Sequence, residues 1–71
     1  MSHLVKCPIL AKVLEVHVKA GDTVAADTVI ATLEAGERSM TVEAEVAGTV
    51  STVLTVEGAT HKKDEILVFI D

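Results

Sequence analysis

The sequence predicts a small all-β fold, a flattened β-barrel or sandwich of two four-stranded sheets with internal pseudo-twofold symmetry. Three observations carry this. Valine, isoleucine and threonine supply 24 of the 71 residues, and β-branched side chains favour pleated strands over helices. No stretch repeats its apolar residues with the period of a stable amphipathic helix. The chain also contains one unit twice: Val13–Glu34 matches Val50–Asp71 at an offset of 37 residues, with Val13/Val50, Val16/Val53, Gly21/Gly58, Thr23/Thr60 and Asp27/Asp64 identical. Two facing copies of a short-stranded unit cover the apolar face that one copy would leave wet.

The elements follow in order. Cys7–Val13 leads into a strand in which Leu14, Val16 and Val18 alternate with Glu15, His17 and Lys19, the period of a half-buried strand. Ala20-Gly21-Asp22 is a turn, residues 23–28 form an irregular turn through Ala26-Asp27, and Val29–Leu33 is a nearly continuous apolar run with little exposure to solvent. Residues 34–40, Glu-Ala-Gly-Glu-Arg-Ser-Met, then join the halves as an exposed hairpin whose turn falls at Gly36. Val42, Ala44 and Val46 alternate with Glu43 and Glu45, which should face water. Ala44–Val50 repeats the first lead-in, Glu57-Gly58 repeats the first turn, and Ile66–Ile70 repeats the apolar run. Residues 1–71 are expected to form a single domain.

Composition excludes several classes. The net charge is −5 and Phe69 is the only aromatic residue. Nucleic-acid binding calls for a positive surface and stacking rings, and no basic cluster exceeds Lys62-Lys63. No apolar run approaches the roughly 20 residues that span a bilayer. Met1–Lys6 lacks a signal-peptide apolar core. A single cysteine allows no intrachain disulfide. The expectation is a soluble, cytoplasmic protein that binds neither nucleic acid nor membrane.

Several motifs resemble those of the biotinyl/lipoyl carrier domains, across nearly the whole chain. Cys7-Pro8-Ile9-Leu10-Ala11-Lys12-Val13 is similar to the family's opening motif, with Ala11 replacing the usual glycine. Val16–Val24 is similar to the family's first turn, with its Gly21-Asp22 pair, and Ala26 stands where a second glycine commonly precedes aspartate. Leu33-Glu34-Ala35 looks like the strand entering the attachment hairpin, and Glu43–Val50 like the strand leaving it, with Glu45 where proline is usual. The resemblance implies the fold known as a barrel-sandwich hybrid, in a free-standing small form of the biotin carboxyl carrier type found in acetyl-CoA carboxylase. No thumb-like insertion separates the strands.

In that family one lysine at the hairpin tip carries the prosthetic group. Biotin carriers usually read Glu-Ala-Met-Lys-Met there; this chain reads Glu34-Ala35-Gly36-Glu37-Arg38. Lipoyl domains usually place Asp-Lys-Ala at the tip, followed by a small residue and methionine, and Ser39-Met40 match that last pair. Ala35 therefore leans toward biotin and Ser39-Met40 toward lipoate, while the centre matches neither. By resemblance, Glu37 holds the position of the modified lysine, flanked by Glu34, Ala35, Gly36, Arg38, Ser39 and Met40.

Attachment needs an amine that can attack an acyl-adenylate and form a stable amide. A carboxylate would give a labile anhydride, and the Arg38 guanidinium keeps its proton. Lys6, Lys12, Lys19, Lys62 and Lys63 lie outside any tip-like sequence. No cofactor is therefore expected on this chain, although functional relatives carry biotin or lipoate. Glu37 has three possible origins: a natural degenerate carrier now serving as a binding or scaffold module, an engineered Lys→Glu block, or a relocated active site. Gly36 and Arg38 also depart from the family, which favours the first. The partners implied are a biotin-dependent carboxylase or transferase subunit, a biotin or lipoate ligase, or a dehydrogenase-complex component. The alternatives are a lipoyl-type carrier or a plain interaction adaptor. Membrane-fusion adaptors of this kind carry a long helical insertion, and glycine-cleavage-type carriers extra helical segments.

No other residues show the spacing of a catalytic or metal-binding motif, so the chain is expected not to be an enzyme. Cys7 precedes Pro8 with no histidine at a motif spacing, and the expectation is a buried, inert small hydrophobe. His3, His17 and His61 have no short ligand spacing and are expected as solvated surface histidines. His61-Lys62-Lys63-Asp64 reads as a charged, exposed turn. Gly36 supplies a left-handed turn conformation and belongs to no phosphate-cradling loop.

Overall fold

A computed structural model describes residues 2–71. Eight strands follow one another: β1 (His3–Lys6), β2 (Ala11–Val16), β3 (Thr23–Val24), β4 (Val29–Ala35), β5 (Arg38–Glu43), β6 (Gly48–Val53), β7 (Thr60–His61) and β8 (Ile66–Ile70). No helix occurs among the described residues. The strands form two antiparallel four-stranded sheets, ordered β1-β8-β6-β3 and β5-β4-β2-β7. Adding 37 to each residue number turns β1 into the end of β5, β2 into β6, β3 into β7 and the start of β4 into that of β8, and exchanging these partners carries the first sheet order onto the second.

The backbone hydrogen bonds obey the same operation. The Gly21 N–H donates to the Val50 carbonyl and the Gly58 N–H to the Val13 carbonyl, both at 2.8 Å. His17 N–H to Ile30 O and Leu54 N–H to Leu67 O form another such pair, again at 2.8 Å. Gly21 and Gly58 hold φ values of 99° and 90°, a region open mainly to glycine. The chain thus crosses between the sheets at two equivalent glycine turns.

Four bulges, also in symmetric pairs, decide which side chains face inward. Between β4 and β5 the register skips Ile30, and between β1 and β8 it skips Leu67. A bulge places two consecutive residues against one partner. Ile30 and Ala31 are accordingly both buried, as are Leu67 and Val68. This is why Val29–Leu33 and Ile66–Ile70 read as continuous apolar runs rather than alternating ones. The other pair skips Leu14 in β2 and Ser51 in β6.

That second pair corrects one expectation. Leu14, read as facing inward, is 38% exposed, and Ala11 and Val13 are the buried residues of β2. The bulge resets the phase, so the inward set runs Ala11, Val13, Val16, Val18. Val42 and Ala44 are buried and Glu43 and Glu45 exposed, as alternation requires. The core is centred on Val13, Ile30, Leu33, Val50, Leu67 and Ile70, each at most 1% exposed. Each such side chain gains about 1.5–3 kcal/mol on leaving water.

Candidate functional site

The segment Glu34–Met40 forms the β4–β5 hairpin. Leu33 pairs with Met40, Glu34 with Ser39 and Ala35 with Arg38, leaving Gly36-Glu37 as a two-residue loop. Such loops need a positive φ that matches the twist of the strands, and Gly36 provides it at 66°. Leu33 is fully buried beneath the tip, and Ala35 and Met40 pack against the core cluster. Glu34, Gly36, Glu37, Arg38 and Ser39 are exposed. Apolar packing at the base thus holds a fixed ladder that presents Gly36, Glu37 and Arg38 to solvent. Among the described residues, neither Glu37 nor Arg38 makes a side-chain hydrogen bond or ion pair.

The lysines stand elsewhere. Lys6 is on β1, Lys12 on β2, Lys19 follows β2, and Lys62 and Lys63 lie in the turn before β8, all exposed. The pseudo-twofold exchanges the hairpin with the paired chain ends, where the Ser2 hydroxyl donates to Asp71 Oδ1 at 2.6 Å. By the offset of 37 this pair corresponds to Ser39 and Glu34 of the hairpin.

Cys7 is fully buried, its Sγ 2.9 Å from the Ile9 carbonyl. His17 is exposed, with Nε2 2.8 Å from Thr32 Oγ1. No cluster of three or more histidine, cysteine or acidic residues capable of holding a metal occurs among the described residues. His61 departs from the expected solvated histidine. Its side chain is only 15% exposed. Its Nε2 lies 2.7 Å from Thr55 Oγ1 and its Nδ1 3.0 Å from Glu65 Oε1. The Lys62 N–H donates to the same carboxylate oxygen at 2.9 Å. That backbone N–H first, and His61 second, hold the Glu65 carboxyl below its ordinary pKa. The sequence signals only the His61–Glu65 spacing of four. Thr55 reaches the pair across a turn that no local motif announces.

Residues 3–70 match the model of the biotin/lipoyl family, described as biotin-requiring enzymes. No curated protein matches the chain. Among solved structures, the chain is similar to part of a single-chain, multi-domain long-chain acyl-CoA carboxylase at 23% identity and a TM-score of 0.88. It covers 97% of this chain and 7% of the carboxylase. The urea carboxylase of Kluyveromyces lactis superimposes with a TM-score of 0.92 at 21% identity, over 100% of this chain and 6% of the enzyme. The lipoyl domain of the 2-oxoglutarate dehydrogenase complex of Azotobacter vinelandii gives a TM-score of 0.76 at 24% identity, over 94% of this chain and 95% of that domain. The chain thus spans a small fraction of either carboxylase and nearly the whole of a lipoyl domain. With its eight strands in two four-stranded sheets and the family model spanning residues 3–70, the chain belongs to the biotin/lipoyl domain family.

Proposed function

We propose that residues 1–71 form one carrier-type domain of the biotin carboxyl carrier kind that is not modified at its hairpin and serves as a binding or scaffold module. The observation that carries this reading is Glu37 in the two-residue loop. If Glu37 occupies the attachment position, the group offered to an acyl-adenylate is a carboxylate, and every lysine lies outside the hairpin. The tip then supplies shape, charge and hydrogen-bond acceptors to a partner, and no catalytic residue. Its partner is a biotin-dependent carboxylase or transferase subunit, or a ligase that reads the hairpin, and the setting is the cytoplasm. No helix among the described residues is long and apolar enough to cross a membrane. Ser39-Met40 favour a second reading, a lipoyl-type lineage with the same loss.

Intact mass after incubation with biotin ligase, biotin and ATP tests the proposal. The chain should keep its bare mass, and Glu37→Lys, with Gly36→Met and Arg38→Met, should gain one biotinyl group. Lipoylation of that variant by a lipoate ligase, without biotinylation, would assign it to the lipoyl lineage. Uptake of either group by the unaltered chain would overturn the reading.

A further inference from the structure

Thr55, His61 and Glu65 form a hydrogen-bonded chain in the order of a nucleophile, a base and an orienting carboxylate. A carboxylate only accepts hydrogen bonds. With neutral imidazole, Glu65 therefore fixes the His61 proton on Nδ1, and Nε2 turns its lone pair to Thr55 Oγ1 at 2.7 Å. The Thr55 hydroxyl must then donate. This tautomer and this direction let an imidazole withdraw a hydroxyl proton. Thr55 is 7% exposed, and with His61 it lines an open cleft of about 300 Å³ walled by Val53, Leu54, Val56 and Ala59.

The pseudo-twofold supplies an internal control. At the offset of 37, Thr55, His61 and Glu65 correspond to Val18, Val24 and Thr28. The first half builds the same turn without them: Thr28 Oγ1 accepts the Ala25 N–H at 2.9 Å, as Glu65 Oε1 accepts the Lys62 N–H at 2.9 Å. Val24 is buried and Val18 packs against the core cluster. The fold therefore needs an acceptor at the turn and apolar bulk at the other two positions. The imidazole, the hydroxyl and the carboxylate exceed that need. The cleft diverges too, because Leu54, Val56 and Ala59 replace His17, Lys19 and Asp22.

The geometry points to Thr55 as an acyl acceptor activated by His61, with Glu65 as positioning residue, for activated esters of short aliphatic acids. In the step, Thr55 Oγ1 forms a bond to the acyl carbon and the bond from that carbon to the leaving oxygen breaks. The hydroxyl proton passes to His61 Nε2 and then to the leaving group, so the products are a threonine ester and an alcohol or phenol. No electrons are exchanged with an oxidant or reductant. The inference is independent of the hairpin reading.

The test uses the full chain and p-nitrophenyl butyrate, following nitrophenolate release, intact mass and the mapped site. Expected is a butyryl ester on the peptide containing Thr55, removable by hydroxylamine, whereas amides on lysines resist it. Thr55→Val and His61→Val install residues that the first half already uses at the related positions. Thr55→Val should abolish the ester, and His61→Val should slow it about 100-fold, the scale of general-base catalysis. Glu65→Gln keeps the shape and removes the charge that stabilises the imidazolium. It should shift the pH profile of acylation, which a purely structural carboxylate would leave in place. Butyryl groups confined to lysines or the amino terminus, or an ester at Thr55 that forms equally fast in His61→Val, would overturn the inference.

Discussion

At Glu45 the backbone takes a φ of 69°, a region that costs an L-residue about 1–2 kcal/mol. Its N–H donates to the Ala26 carbonyl at 2.7 Å. The residue at the symmetric position is Pro8, which has no N–H. There the junction closes differently, through the Asp64 N–H on the Cys7 carbonyl at 2.7 Å, with Asp64 itself at a φ of 72°. The hydrogen bonding of the two halves thus differs at these junctions, and position 45 calls for a residue that keeps its N–H and reaches a positive φ. Glu45→Gly should raise stability by up to about 1 kcal/mol, the relief of strain less the extra freedom of the unfolded chain. Glu45→Pro should lower it by about 3 kcal/mol or more, because proline cannot reach a positive φ and deletes the donor. Urea denaturation of the two variants beside the parent checks both signs.

Glu65 makes a pH prediction of its own. Its folded pKa lies below the ordinary value, held there by the Lys62 N–H and by His61. A depressed carboxyl contributes stability that is fully present above its unfolded pKa and is lost as pH falls through the folded one. Parent and Glu65→Gln should therefore differ most near neutral pH and converge in acid below the carboxylate range. Thermal melts across that range read the convergence. A constant gap would mean that the carboxylate's charge contributes nothing.

Among the elements, the bulged strands show what the sequence could disclose and what it could not. The 37-residue offset, the glycine turns and the β-branched content were legible, because each reflects a local backbone need written in one or two residues. The apolar runs at β4 and β8 were legible as buried strands, but their cause was not. A bulge depends on how two strands pair across the sheet, and no single strand records it. Alternation alone therefore places Leu14 inward, and Ser51, its partner in the other half, gives no sign of sharing its role. Likewise the Gly36 turn was visible in the hairpin, whereas the Thr55–His61–Glu65 chain depends on how the turn at Glu57-Gly58 folds Thr55 back onto His61, which no local motif announces.

The bulges also make an energetic prediction. Ile30 and Leu67 are related positions, each skipped by the register and each fully buried. Ile30→Ala and Leu67→Ala should each cost about 2–5 kcal/mol, from the lost transfer energy and the cavity left behind. A domain of this size commands roughly 4–10 kcal/mol in total. Either change alone should bring a large shift in the urea midpoint, and the two shifts should be similar if the halves share the core equally. A loss confined to one of them would show that one half carries the core.

Over the whole molecule, 33 × 18 × 16 Å across its principal axes, the pseudo-twofold treats the hairpin and the chain ends as equivalent corners. Glu34 pairs with Ser39 at one corner, and Asp71 meets Ser2 at the other. The hairpin bridges its corner with four residues, Ala35-Gly36-Glu37-Arg38. Copying those four residues between Asp71 and Ser2, and opening the chain between Gly36 and Glu37, should give a circular permutant that keeps every strand pairing. What changes is the order in which the halves are connected, together with the entropy of the loop that is closed. That entropy varies only slowly with loop length, so the permutant should unfold within about 1–2 kcal/mol of the parent if the new turn is unstrained. Glu37 would then sit beside a free chain end and no longer in a closed loop. A stable permutant would therefore separate the hairpin's part in folding from the recognition by a partner proposed for it. Its far-ultraviolet spectrum and melting curve report whether the hairpin is needed to fold the sheets, and its capture by a partner reports whether the closed loop is needed to be recognised. Failure to fold, with the new turn in place, would show that the β4–β5 hairpin has to be closed for the two halves to meet.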